Sequence, residues 1–287
     1  MYITFLQTAD PYGYKPMLDT TSRTVIEYCR RHDFAYESYV GIKRGYFPWH
    51  ATFNRMFMLV ELVDRGFRGW AIYLDADAYV HDLDFDLAGW LTPLADRAAI
   101  MTSIPGAPFP WCINAGVLAF NLGHDKGIEI VRRWRDRFLQ INDDRLRDME
   151  IWDDGDSDQS MLFELLDRDA SLRAAVHFDD GAILNSPGAA FIRQLLRSLS
   201  SSLDARVQAL AVATAVALGP DRTFATNLPG TIAASLYRGI LGREPDAGGL
   251  AGYAGHIDHV GMEEGIRHVA SELVRSEEFR RKYSGNP

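Results

Sequence analysis

Cysteine, long apolar runs and surplus positive charge are all scarce in this sequence, and each shortage removes a class of protein. Two cysteines in 287 residues, Cys29 and Cys112, carry no ligand spacing and cannot build a disulfide framework. A reducing, cytoplasmic setting is the simplest expectation. The longest apolar stretch, residues 209–218 within VQALAVATAVAL, is too short to span a bilayer and reads first as a buried helix. Interfacial contact there, peripheral to the inner membrane, stays open. The opening residues MYITFLQTAD show no basic region followed by a long apolar one, so no signal peptide is expected. Thirty Lys and Arg stand against 39 Asp and Glu, a formal charge of −9. No nucleic-acid partner is expected, because a phosphate backbone requires a basic surface.

What is present suits a folded enzyme-sized chain: 47% hydrophobic residues, 24 glycines and 12 prolines, with room for a large domain and a small one. Strand-like runs at residues 2–8, 34–40, 70–74, 98–103 and 116–121 alternate with helix-like periods at 16–31, 50–64, 125–139 and 159–166. That β-α-β order predicts an α/β domain with a parallel sheet and helices on its faces. The composition changes after about residue 196. Ser198 to Ser202 form a polar break, an Ala-rich helix follows, and Gly219-Pro220 and Pro229-Gly230 punctuate the chain. Residues 235–283 are helical in period, with Asp246 and Ser276 placed as N-caps. The expected organisation is an α/β domain over residues 1–197, a helical linker over 198–232 and a small all-α module over 233–287.

The main chemical signal is Asp75-Ala76-Asp77, directly after the apolar strand WAIYL. Residues i and i+2 of a strand share a face, so two carboxylates there can converge on one cation where the sheet opens to solvent. Hard oxygen ligands suit Mg²⁺ or Mn²⁺. Acidic residues after a strand are equally common as turn formers, and the motif alone does not separate the two. Asn114-Ala115-Gly116 before a strand can bond sugar hydroxyls through the amide and admit a close backbone approach at the glycine, or be an ordinary turn. Asp158-Gln159 opens a helix inside the acidic run Asp153, Asp154, Asp156, Asp158; there Asp158 is either a cap or a binding residue.

In that order, with Asn185-Ser186 and Phe191-Ile192 closing the segment, these motifs resemble the metal-dependent glycosyltransferases of the GT-A fold, over about residues 2–197. The likeness is greatest to the galactosyl-, xylosyl- and mannosyltransferase group, with glycogenin-like enzymes more distant. The resemblance implies a Rossmann-like nucleotide-diphospho-sugar transferase domain. Its donor would be a UDP-sugar in preference to a GDP-sugar, and its acceptor a glycan, lipid-linked or protein molecule. It implies that Thr8, Ala9 and Asp10, with Tyr12 or Tyr14, enclose the base and ribose. Arg55 would meet Asp75 or a donor phosphate, or be a salt bridge on a helix surface. Asp75 would face the ribose and Asp77 the metal, while Asn114, Ala115 and Gly116 meet the sugar. Asp158 would bond the donor sugar and Gln159 would lie near the anomeric carbon, an arrangement that favours transfer with retention.

Trp49, Trp111 and Phe109 could wall the acceptor side. Where the family has a metal-binding His, this chain reads Phe191-Ile192-Arg193-Gln194. Gln194 could offer a carbonyl oxygen to the cation and Arg193 could meet the diphosphate, with His177 as another candidate ligand. Leu236-Tyr237-Arg238, Leu241-Gly242-Arg243-Glu244-Pro245-Asp246, Gly249-Leu250 and Ser276-Glu277-Glu278-Phe279 resemble a bacterial helical domain of unknown function related to phycobilisome linker domains. That resemblance implies an interaction or positioning role, toward a protein or a membrane surface, with Arg243 pinned by carboxylates. The alternatives are a transferase domain degenerated into a scaffold and a haloacid-dehalogenase-like phosphatase. Against the phosphatase, Tyr79 stands where that family has Thr or Val.

Overall fold

A computed structural model describes residues 1–152, 156–196, 202–219, 228–243 and 245–283. Asp153 and Asp154, most of the Ser198–Ser202 break, Pro220 and Glu244 lie outside the described residues. The chain divides into two units, Met1–Leu218 and Gly219–Pro287.

In the first unit the elements run β1 (Ile3–Ala9), α1 (Lys15–His32), β2 (Ala35–Val40), α2 (Asn54–Asp64), β3 (Trp70–Asp75), β4 (Ala78–Val80), α3 (Leu87–Leu91), β5 (Ala99–Ser103) and β6 (Ile113–Asn121). They continue with α4 (Asp125–Leu139), α5 (Asp143–Asp148), α6 (Asp158–Arg168), α7 (Ala170–Ala175), β7 (Val176–Asp179), β8 (Leu184–Ser186), β9 (Ile192–Gln194) and α8 (Leu203–Leu218). Helix α2 is shorter than its apolar period suggests, because Pro48–Phe53 form a 3₁₀ turn before it.

The main sheet has the order β2-β1-β3-β6-β5-β7 and the fold is mixed α/β. Strands β2, β1 and β3 are parallel, as the β-α-β pattern predicts. Strand β6 departs from that expectation and runs antiparallel to both β3 and β5. The reason is local: no helix separates β5 from β6, and neighbouring strands joined without a crossover must reverse direction. A second sheet, β4-β9-β8, stands beside the first.

Alternation along the strands feeds two cores. Leu6 and Tyr73 pack with α2, α4 and α6 on one face, while Phe5, Ile72 and Leu74 pack with Val25 and Tyr28 of α1 and with α3 on the other. Full burial of side chains such as Trp134, Phe120 and Phe138 is worth roughly 1.5–3 kcal/mol each.

Helix α8 is the Ala-rich segment expected in a linker over 198–232. It instead belongs to the first unit, where Leu210 packs among Met17, Leu18 and Ala76. A helix this rich in apolar residues needs cover, and α1 supplies it. Among the described residues, no helix is long and apolar enough to cross a membrane.

The second unit is helical. Its elements are α9 (Leu228–Leu236), continued by a wider turn over Tyr237–Leu241, then α10 (Ala247–Val260), α11 (Met262–Arg275) and α12 (Glu277–Tyr283). Tyr237, Leu241, Ile257, Val269 and Leu273 form its core. Asp246 caps α10 through the Gly249 N–H, and Ser276 receives the Phe279 N–H at the start of α12. Arg243 is held by Glu278 through Nε at 2.5 Å and Nη2 at 2.6 Å.

Candidate active site

A cavity of about 280 Å³ opens where β1 and β3 end and β6 begins. Ligand sites in open α/β sheets lie beyond the carboxyl ends of parallel strands. The reversal of β6 is what brings its first residues, Asn114 to Gly116, to that same edge beside Asp75. Thr8, Ala9, Asp10, Tyr14, Arg55, Asp75, Asp77, Asn114, Ala115, Gly116, Asp158, Gln159 and Gln194 all line it.

Arg55 of α2 is 3% exposed and sits under the floor. Its Nη2 donates to Asp75 Oδ1 at 2.6 Å and to Thr52 Oγ1 at 2.9 Å. Nε donates to the Thr52 carbonyl at 2.9 Å and Nη1 to the Ala115 carbonyl at 2.5 Å. Nη1 also lies 3.1 Å from Asp158 Oδ2, as an ion pair outside hydrogen-bond geometry. Every N–H-bearing atom of this guanidinium is engaged, so Arg55 pins Asp75 and Asp158 and has little left for a phosphate. It is a buried cation rather than the partner of a surface salt bridge.

Burial pushes the Asp75 carboxyl above its ordinary value, with Arg55 pulling the other way. Burial likewise raises Tyr73 well above the usual phenol range; its hydroxyl donates to Asp75 Oδ1 at 2.9 Å. The Asp75 side chain keeps 30% exposure, so it can still meet a ligand.

Asp158 is the first residue of α6 and not its cap. Ser157 caps the helix by accepting the Ser160 N–H. That frees the Asp158 carboxylate to turn inward, where Oδ1 accepts from Thr52 Oγ1 at 3.0 Å and Oδ2 is buried with no hydrogen bond. Next to it, Gln159 Oε1 accepts the Ala115 N–H at 3.0 Å, leaving one lone pair on that carbonyl.

At the other end of the floor, Asp77 lies in the turn between β3 and β4. Its Oδ1 accepts from Gln194 Nε2 at 3.0 Å, and its Oδ2 is ion-paired with Arg206 of α8. Gln194 Oε1 accepts from Asn114 Nδ2 at 3.0 Å. A divalent cation needs several oxygens with open lone pairs. Here Gln194 turns its N–H to Asp77, opposite to the carbonyl ligation expected of it, and a guanidinium already holds the other oxygen. Among the described residues, no group of three His, Cys, Asp or Glu is arranged to hold a metal. Around Asp77, the lining thus presents N–H donors where the Mn²⁺ or Mg²⁺ that the sequence resemblance implies would need oxygens, and of the Asp75 and Asp77 oxygens Asp75 Oδ2 alone keeps open lone pairs toward the cavity.

Other expected residues are placed as follows. Asp10 accepts the backbone N–H groups of Tyr12, Gly13 and Tyr14, which shapes the loop after β1. The Thr8 hydroxyl donates to the Tyr39 carbonyl and accepts from Asn54. Tyr12 is 79% exposed and away from the cavity, whereas Tyr14 lines it. The room at Gly116 belongs to Gln194, whose Nε2 would be 2.3 Å from a Cβ there. Arg193 does not line the cavity. It neighbours Gln194 on β9, alternation sends it to the opposite face, and its Nε donates to the Ala189 carbonyl. His177 is likewise outside the lining, and of the three aromatics only Trp49 borders it. Phe109 and Trp111 stack on each other, with centroids 4.8 Å apart.

The lining also includes residues that no sequence motif marks, among them Thr52, Tyr73, Trp152 and Arg206. An arginine inside the Ala-rich run after Leu203 is the signal that could have marked Arg206, since a cation on a buried apolar helix requires an acidic partner.

No protein-family model matches the sequence, and no curated protein does. Solved structures do match. A glycosyltransferase involved in the glycosylation of the major capsid of PBCV-1 aligns over 73% of this chain and 99% of its own, at 17% identity and a TM-score of 0.54. The fold is that of a glycosyltransferase. The bifunctional glycosyltransferase WbbM, in its apo form, overlaps more loosely: 74% of this chain, 44% of that one, 10% identity and a TM-score of 0.41.

Proposed function

We propose that the first unit transfers a sugar from a nucleoside-diphosphate donor, a UDP-sugar before a GDP-sugar, to a glycan, lipid-linked or protein acceptor. The observation that carries this reading is the convergence of seven segments distant in sequence on one cavity at the carboxyl edge of the sheet, next to a buried Asp158 oxygen with no hydrogen-bond partner. A buried acceptor of that kind suits a sugar hydroxyl, which donates.

In the transfer, the bond between the anomeric carbon and the phosphate oxygen breaks and its electron pair stays with the nucleoside diphosphate. The acceptor hydroxyl oxygen forms the new bond to that carbon, and its proton passes to the departing phosphate oxygen. Retention, the outcome the motif resemblance implies, is supported by Gln159, whose amide lines the cavity and is a poor base, and by the lack of a His among the described lining residues. The second unit, in this reading, positions the enzyme against a protein or membrane surface in the cytoplasm.

Calorimetric titration of UDP and then GDP, each with EDTA, Mn²⁺ or Mg²⁺, tests this. Binding of one nucleotide, followed by turnover of its sugars to products of retained configuration by NMR, is the expected result. One observation favours a scaffold instead: Asp77 is already neutralised by Arg206. Absence of nucleotide binding under all conditions would move that reading to the front.

A further inference from the structure

The geometry points to Arg206 as the diphosphate-binding cation of this site, holding on Asp77 the place a divalent metal would take, so that donor binding needs no metal; this rests on the donor reading above. Four observations lead there. First, Arg206 is only 4% exposed and yet lines the cavity, so its charge is withdrawn from bulk water and presented to whatever enters. Second, its position is fixed from three sides. Nε donates to the Leu195 carbonyl at 3.0 Å, Nη1 to the Tyr14 hydroxyl at 3.4 Å, and Nη2 pairs with Asp77.

Third, those bonds use three of the five N–H groups of the guanidinium, and one remains on each of Nη1 and Nη2. An arginine that only fastened α8 would require nothing beyond Asp77 and Leu195. Two N–H groups on neighbouring nitrogens of a planar fork match two oxygens of a phosphate. Fourth, Gln194 faces Asp77 with its amide N–H, and its carbonyl is taken by Asn114. The pocket around Asp77 is thus built as donors surrounding a carboxylate, the inverse of an oxygen cage. Charge that accumulates on the leaving diphosphate would meet a preorganised guanidinium, which needs no reorganisation when the bond breaks.

The test is calorimetric titration of UDP and GDP into the full chain, in EDTA and then with Mn²⁺. The wild type is expected to bind one nucleotide with the same affinity in both. Arg206→Met should weaken that binding by about tenfold to hundredfold, the range of a charged hydrogen-bonded contact. Because Arg206→Met leaves Asp77 buried alone, the pair Asp77→Asn with Arg206→Met is measured beside it, its folding checked by urea denaturation. It should stay folded and bind as weakly. Wild-type binding that requires Mn²⁺, or unchanged affinity in either folded variant, would overturn the assignment of Arg206 while leaving the donor reading in place. No nucleotide binding by the wild type in any condition would instead overturn the donor reading itself.

Discussion

Two arginines reach the two aspartates of the Asp75-Ala76-Asp77 segment, and they are built differently. Arg55 rises from α2 in the middle of the α/β core. Its bonds to Thr52, Ala115 and Asp75 and its ion pair to Asp158 engage both terminal nitrogens and Nε. Arg206 comes from α8, at the end of the first unit, makes three bonds, lines the cavity and has two N–H groups left over. Equal burial therefore conceals unequal roles. A saturated buried cation is a rivet, whereas an unsaturated one at a cavity wall is a ligand-binding group.

The largest expected effect is on the rivet. Arg55→Met leaves Asp75 and Asp158 buried without their cation and should destabilise the first unit by about 5 kcal/mol, the upper end for breaking a buried pair. Arg206→Met strands only Asp77, which retains the Gln194 N–H, so about 3 kcal/mol is expected. Urea denaturation of both variants checks the order, and a larger loss for Arg206→Met would break the comparison.

Next is Gly116→Ala, which acts on the Arg206 side alone. Its Cβ would fall 2.5 Å from Gln194 Cδ as well as on Nε2, forcing that amide away from Asp77 and Asn114. Overpacking of this kind costs about 1–3 kcal/mol. Adding Gln194→Ala makes the room, so the double variant should lose less stability than the two single losses added together. Additive losses would show that Gly116 is needed for something other than Gln194.

The smallest effect belongs to a surface cluster of three charges, which serves as a baseline for the two buried arginines. Arg30 and Arg31 hold the Glu27 carboxyl down at about 2, against an ordinary 4.5. With the folded value depressed, the unfolded chain binds the proton more readily, so this stabilisation is complete above pH 4.5 and is lost as pH falls toward 2. Solvent screening keeps such a contribution below about 1 kcal/mol. Wild type and Glu27→Gln should therefore differ slightly at pH 7 in urea midpoints and converge by pH 2. A gap that widens with acid would reverse the sign.

Much of the site is legible in the amino-acid order. Thr8, Asp10, Asp75, Asn114, Gly116 and Asp158 follow or precede apolar runs, and a polar residue at the end of a buried strand has nowhere to go but the sheet's edge. The resemblance in motif order gathers them into one site, and one cavity does hold them. Arg193 sits one position away from the cavity-facing residue of β9: both it and Gln194 are polar, and no flanking period says which of them faces inward. The short strands β4, β8 and β9 carry three residues each, too few to show a period.

Local periodicity is enough to give the strand and helix alternation and to put helices on the faces of a sheet, and the polar residues that end its apolar strands mark the carboxyl edge. The packing of distant elements turns β6 antiparallel, which brings Asn114 to the same cavity as Asp75, and folds α8 back on α1. That packing also selects the cation that meets Asp77. Arg206 lies 129 residues from that aspartate in the chain. A buried charge states that it must have a partner, but which partner depends on where distant elements pack.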